Sequence, residues 1–383
     1  RVEAAAAAER KAGLWPNPTL ELAMGTIPIG PKNPEFTGRD IGFNDIVNYS
    51  VALSQTFELG KRGPRIDAAR WIRRARHSLL LRQIGERAAQ ARLAIVELFA
   101  ARRRLAILER MLADAKRVRE LERVRLQQGH LSGNDFDRLQ VETISLAARR
   151  TRAAGQLQRA IAGCAALLAA PCTLADKATL PEPRPVDASA LPSPDRRPDI
   201  VALEQARKAA LARGKLARRT AIPDPTLTLG YTHDRYILSG SQRNSLMVGL
   251  ALPLPIFDRG QHDSAKAIHQ AAAIDAERAR RAALARIQQH GLREQLRATL
   301  AALGRLERDA LPRSRRVLKQ SSQALARGQL SMTELLLVRR AHTGVLLSIV
   351  DARLAAHRLV NALRRTSGAD ATLADKSQSE AKR

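Results

Sequence analysis

The chain has 383 residues, 45% of them hydrophobic but only 3% aromatic, and 65 Lys+Arg against 37 Asp+Glu give it a net charge of +28. The length allows two or three domains, but so little aromatic area excludes the usual aromatic-rich globular core and favours long helices rich in Ala, Leu and Arg. The basic excess is spread over helical runs such as IRRARH (72–77), RRR (102–104) and RSRR (313–316), with no helix-turn-helix, RNP-like or zinc-finger pattern, so it reads as solvated helix faces and not as a nucleic-acid site.

The opening stretch, RVEAAAAAERKAG, reads as the end of a helix. A strand is expected over about 17–27, with Leu20, Leu22 and Met24 on one face and Thr19, Glu21 and Ala23 on the other. A Pro/Gly-rich connection (25–45) leads to a second strand, about 46–60, with Val51, Leu53, Phe57 and Leu59 on one face. From 63 to 127 no proline follows Pro64, which predicts one helix roughly 100 Å long. Ala91, Ala94, Leu98, Ala101, Leu105, Leu108, Leu112 and Ala115 give it a seam at spacings of three and four.

A short turn follows, GHLSGNDF (129–136). Gly129 suits the left-handed conformation that ends a helix. Ser132 is placed to cap the next helix, with Asp135 three residues on to complete a capping box. The chain then returns as a helix over 133–170. Cys164 and Cys172 are compatible with a disulfide in an oxidising compartment and equally with two free thiols. Residues 171–194 read as a linker.

The same order then recurs. A helix is expected over 195–221, with Pro198 in its first turn. PDPTLTLGYT (223–232) repeats PNPTLELAMG (16–25), and VGLALPLPIFDRG (248–260) repeats VALSQTFELGKRG (51–63). The predicted strands, about 224–234 and 244–257, place Leu227, Leu229 and Tyr231, then Val248, Leu250, Leu254 and Ile256, on apolar faces. A long helix over 262–327 carries Leu292, Leu296, Thr299, Leu303, Leu306 and Ala310 on one stripe, and Pro312 should kink it. The second turn, GQLSMTEL (328–335), repeats the first, with Gly328, Leu330, Ser331 and Glu334 standing where Gly129, Leu131, Ser132 and Asp135 stand. A return helix over 332–366 and a disordered tail over 368–383 complete the chain.

The chain is therefore read as a duplication: a first repeat over 1–170 and a second over 195–367. Position 1 then corresponds to Lys208, inside the equivalent helix, so about a dozen or more residues and a signal peptide are expected upstream. The longest apolar run, AIAGCAALLAA (160–170), is shorter than the ~20 residues that span a bilayer. No CxxC, HExxH, P-loop or GxSxG pattern occurs, and His262 and His269 read as solvated, so neither a catalytic group, a cofactor nor a metal site is expected.

Nine of the eleven aromatics fall between Trp15 and Trp71 or between Tyr231 and Phe257, around the strands. That distribution suits both a membrane girdle and the ordinary preference of strands for aromatics. Four strands cannot close a barrel, and an open sheet cannot survive in lipid because its edges leave backbone groups unpaired. Three chains pooling four strands each would supply 12, enough for a closed barrel. Two other readings compete: a soluble coiled-coil scaffold with a capping sheet, and a basic helical nucleic-acid binder. Neither has a use for matched pairs of apolar strands.

The pattern resembles the TolC-like outer-membrane factors, the exit ducts of tripartite efflux pumps. The likeness is carried by GLWPNPTL, SQTFELGKRGPRI, RRPDIVALEQARKAA, PDPTLTLGY, VGLALPLPIFDRGQ and the two G-x-L-S-x-x-[DE] turns, from residue 13 to about 367. ELGKRG and PLPIFDRGQ are most similar to the cobalt-zinc-cadmium resistance branch. The resemblance implies a mainly α protein with a small β part, a homotrimer whose 12-stranded β-barrel in outer-membrane lipid continues into a periplasmic α-barrel. It implies a passive conduit for heavy-metal cations, or alternatively for drugs and other small organic compounds. It further implies a periplasmic adaptor and an inner-membrane RND-type proton-driven pump as partners. The two turns would be the tips that gate the duct and dock the adaptor, and Leu20, Leu22, Met24, Val51, Leu53, Phe57, Leu227, Leu229, Tyr231, Val248, Leu250 and Leu254 would face lipid. The N-terminal lipidated cysteine that the resemblance implies does not stand among these 383 residues, a departure from the family's pattern.

Overall fold

A computed structural model describes residues 1–27, 46–174, 180–183, 191–235 and 242–370. Most of the connection after the first strand, part of the linker and residues 371–383 of the expected tail lie outside this description. The elements are α1 (Val2–Ala12), β1 (Thr19–Gly25), β2 (Asn48–Thr56), α2 (Arg62–Gln127), α3 (Gly133–Leu168), α4 (Pro198–Arg218), β3 (Thr226–Asp234), β4 (Asn244–Ala251), α5 (Gln261–Arg305), α6 (Leu311–Ala326) and α7 (Met332–Ser367). The protein is mainly helical with one four-stranded sheet. Two compact units form, residues 1–78 with 201–279 and residues 79–200 with 280–383. Each unit draws on both sequence repeats, so α2 and α5 are shared between units.

In the first unit the strands pair antiparallel in the order β1-β2-β3-β4. The middle pair joins the two repeats. Beyond β2 the chain is fastened by charge: Lys61 Nζ lies 2.6 Å from Asp224, whose other oxygen accepts the Leu59 amide at 3.0 Å. Arg65 pairs with Glu58 and donates to the Ala12 and Leu14 carbonyls, each at 2.9 Å. Gly60 and Gly260 both have φ of +72°. The gap-free alignment set Gly63 beside Gly260, but the backbone pairs Gly60 with Gly260, because the turn into each long helix needs the left-handed residue there. At Gly260 a Cβ would also overlap the Ala217 carbonyl.

In the second unit the α2 seam is buried where it meets α3 and α7. Leu108 and Ala115 pack with Leu146 and Ala153, and Ala100 and Ile107 pack with Leu180, Val350 and Leu354. Leu296 on α5 packs with Ala356 and Leu363 on α7. The expected single helix over 262–327 is corrected. A five-residue π-helix, Leu306–Ala310, separates α5 from α6 just before Pro312. Proline has no amide hydrogen and its ring crowds the preceding turn, so the ladder widens there. Glu307 in this wide turn pairs with Arg353 of α7 at 2.6 Å.

The two cysteines, left open by the sequence, are joined as a disulfide across eight residues, with Cα atoms 6.0 Å apart. The bond ties the end of α3 to the start of the linker. Closing so short a loop should contribute about 2–3 kcal/mol. Cys172→Ser, which keeps the buried Cys164 in place, should lower the unfolding free energy by that amount and move the midpoint down with it, and reductant should do the same to the parent. A midpoint indifferent to both would refute the contribution.

Candidate functional site

Two features present side chains in a pattern that core packing does not require: the sheet in the first unit and the helix turns in the second. The strand register aligns cross-strand rows. Leu20 pairs with Leu53, which pairs with Leu229, which pairs with Val248. The next row is Leu22, Val51, Tyr231 and Leu246. Directly opposed residues share a face, so these rows build one continuous apolar surface. It is bare to solvent: Leu22 is 69%, Val248 73% and Leu246 78% exposed. The opposite face carries Thr19, Glu21, Ala23, Ser50, Ala52, Ser54, Thr226, Thr228, Gly230 and Thr232, with Ser245, Met247 and Gly249 on β4; all but Met247 are small or polar. β1 and β4 are edges with no partner strand among the described residues.

The sequence-derived lipid-facing set divides. Leu20, Leu22, Met24, Val51, Leu53, Leu227, Leu229, Tyr231, Val248 and Leu250 lie on the apolar face. Phe57 and Leu254 lie past the strand ends and are corrected. β2 stops at Thr56, and Phe57 bonds the Pro225 carbonyl at 2.9 Å. β4 stops at Ala251 because Pro253 and Pro255 cannot donate to a ladder, and Leu254 is 72% exposed outside it. Tyr49 and Leu246 also join the apolar face and were missed. The alternation that marks Val51 and Val248 extends one step further back to each of them.

At the turns, the helix ends are built alike. Gly129 and Gly328 both have φ of +75°. The Gly129 amide bonds the Leu126 carbonyl at 3.0 Å and the His130 amide bonds Arg125 at 2.8 Å. The Gly328 and Gln329 amides repeat this on Leu325 and Ala324, at 3.0 and 2.9 Å. This paired pattern is the Schellman motif. Ser331 accepts the Glu334 amide at 3.2 Å, and Glu334 accepts the Ser331 amide at 2.9 Å, a complete capping box. Those bonds from the Ser331 backbone and hydroxyl hold the Glu334 carboxyl below its usual value. The other box is corrected: Ser132 accepts the Asp135 amide at 3.1 Å, but Asp135 bonds only the Ser132 hydroxyl. Aspartate is one methylene too short to reach back to the N-cap amide.

The two turns come together. Leu139 is fully buried against Met332 and Leu336, with Val118 and Leu325 beside them. Arg138 donates to the Thr333 hydroxyl at 2.8 Å, and Arg340 pairs with the buried Glu142 at 2.6 Å. Leu131 and Leu330 are half-buried, and Gly129, Ser132, Gly328, Ser331 and Glu334 are exposed. Further along α7, His342 is buried against Ser314 at 2.9 Å, and burial, aided by Arg315, pushes its pKa down. Ser314 also donates to the Leu311 carbonyl at 3.0 Å.

Among the described residues no group of three or more His, Cys, Asp or Glu is placed to hold a metal ion. No helix among them is long and apolar enough to cross a membrane.

Comparison with known proteins agrees with this architecture. Residues 194–369 match the model of the outer membrane efflux protein family. The cobalt-zinc-cadmium resistance protein CzcC of Cupriavidus metallidurans is 29% identical over 225 residues, 55% of this chain and 51% of that protein. The chain thus spans about half the length of the curated relative it matches. Among solved structures, the outer-membrane channel OprN superposes with a TM-score of 0.79 at 21% identity, covering 96% of this chain and 85% of that one. VceC of Vibrio cholerae gives 0.76 at 18% identity, with 96% and 90% covered. CusC gives 0.69 at 18% identity, with 96% and 87% covered. At these identities the superpositions speak for the fold.

Proposed function

We propose that the chain is a TolC-like outer-membrane efflux protein, as the family match over residues 194–369 and the shared fold support, and that it is the outer-membrane exit duct of an efflux pump. The observation that carries the reading is the two-faced sheet. An apolar face bare to water and two edges unpaired among the described residues are a liability on any soluble scaffold. Both are resolved if three copies close their strands into one barrel, apolar side to lipid and polar side to a water-filled lumen. The same sheet disfavours the scaffold and nucleic-acid readings, which need no such face.

In this reading the helical portion stands in the periplasm, an oxidising compartment where the Cys164–Cys172 disulfide persists. Gly129, Leu131, Ser132 and Asp135, with Gly328, Leu330, Ser331 and Glu334, form the tips that meet an adaptor and part to open the duct. Transport is passive, so no catalytic group is required, and an inner-membrane RND-type pump supplies the energy. The likeness to a protein named for cobalt, zinc and cadmium resistance supports metal cations as the exported solute, with drugs or other small organic compounds as the alternative.

The test is to express the full-length protein, extract it in detergent, and measure its oligomeric state and single-channel conductance. A trimer that forms pores is expected. A stable monomer without conductance would overturn the duct. Restored growth of an efflux-deficient host on cobalt, zinc or cadmium, but not on drugs, would fix the solute; the reverse would overturn the metal assignment.

A further inference from the structure

The charge of the strands runs against the charge of the chain. The protein carries 65 Lys+Arg. Yet β1 (TLELAMG), β2 (NYSVALSQT), β3 (TLTLGYTHD) and β4 (NSLMVGLA) contain no lysine or arginine. Lipid contact accounts for that on the apolar face only. On the polar face cationic side chains would be solvated at no penalty, and there too none stands. The charged residues of the strands are Glu21 and Asp234, both acidic, and register puts both on the polar face.

Asp234 sits at the end of β3, opposite Asn48. Glu21 sits in mid-strand. Its row across the sheet is Ala52, Gly230 and Met247. Alanine and glycine beside it leave the carboxylate standing clear, exposed and without an ion pair to any described residue. A carboxylate with no ion-pair partner among the described residues, flanked by alanine and glycine, has no part in packing.

We propose that Glu21 determines ion preference: repeated in each copy, it forms a ring of carboxylates in the lumen that favours cations, including divalent metal ions, over anions. This rests on the reading of the polar face as a pore lining. Rings of Asp or Glu act this way because the fixed charge raises the local concentration of counter-ions and repels co-ions. The effect is local. It opposes the potential of the basic helices at the level of the sheet, whose strands carry no lysine or arginine.

The experiment compares the full-length wild-type protein with Glu21→Gln and Glu21→Lys in planar bilayers under a potassium chloride gradient. The reversal potential gives the potassium-to-chloride permeability ratio. Glu21→Gln should lower that ratio at least about twofold near 0.1 M salt, where screening extends ~10 Å, and far less at 1 M, where it extends ~3 Å. Glu21→Lys should lower it further. Conducting pores whose ratio is the same in all three proteins would overturn the role of Glu21 and leave the duct standing. Absence of conductance from the wild type would overturn the duct reading itself, and the inference with it.

Discussion

Leu53→Arg should abolish membrane insertion. Leu53 lies mid-strand in β2, flanked by Leu20 and Leu229, and is 51% exposed. On a lipid-facing barrel surface an arginine near the bilayer midplane costs about 2–4 kcal/mol. That is a factor of roughly 30 or more in each copy, at about 1.4 kcal/mol per tenfold change, and a trimer carries three. The neighbouring Ser54→Arg, which points to the polar face with Thr19 and Thr228, should insert nearly as well as the parent. The measurement is the fraction of each protein that resists alkaline extraction from the membrane and runs as a trimer in detergent. Equal insertion of the two variants would mean that the faces are assigned the wrong way round or that the sheet does not meet lipid.

Leu139→Ala should loosen both helix turns at once. Its side chain has no exposed surface and joins α3 to Met332 and Leu336 on α7. Truncating a buried leucine costs about 2–5 kcal/mol through lost burial and the cavity left behind. The loss falls where the turns of the two repeats meet, so hydrogen exchange should rise around Gly129 and Gly328 together while the sheet is unaffected. Val141→Ala, two residues on and 63% exposed, is the matched control and should change stability by less than about 0.5 kcal/mol. Faster exchange at the first turn alone would show that the turns are independent.

Legibility followed the range of the interactions. The turns could be read because their grammar is local: a glycine for the left-handed residue and a serine for the cap lie within four residues of each other. Even there, the incomplete box at Asp135 shows how one methylene decides a bond that residue type suggests. The faces of the sheet could be read from alternation, but not their limits. Pro253 and Pro255 ended β4 while the alternation ran on to Leu254. Pro312 announced an irregular helix, but placing the wide turn at Leu306–Ala310 needed coordinates. The pairing of Cys164 with Cys172 depended on the chain turning back after α3. Arg340 on Glu142 and Asn361 on the Ala89 carbonyl connect residues 198 and 272 apart, beyond any pattern read along the chain.

The pairing of β2 with β3 has a kinetic consequence. Thr56 and Thr226, joined hydroxyl to hydroxyl at 2.9 Å, are 170 residues apart in the chain. Closing a loop of that length costs about 4–5 kcal/mol of chain entropy before any contact rewards it, and contacts so distant form slowly. β1 and β2 alone would be a two-stranded hairpin, marginal in water. The intervening helices are therefore expected to fold before the middle pair of strands closes. The sheet should then form late, and its apolar face should arise as a surface only once the helices have brought the strands together.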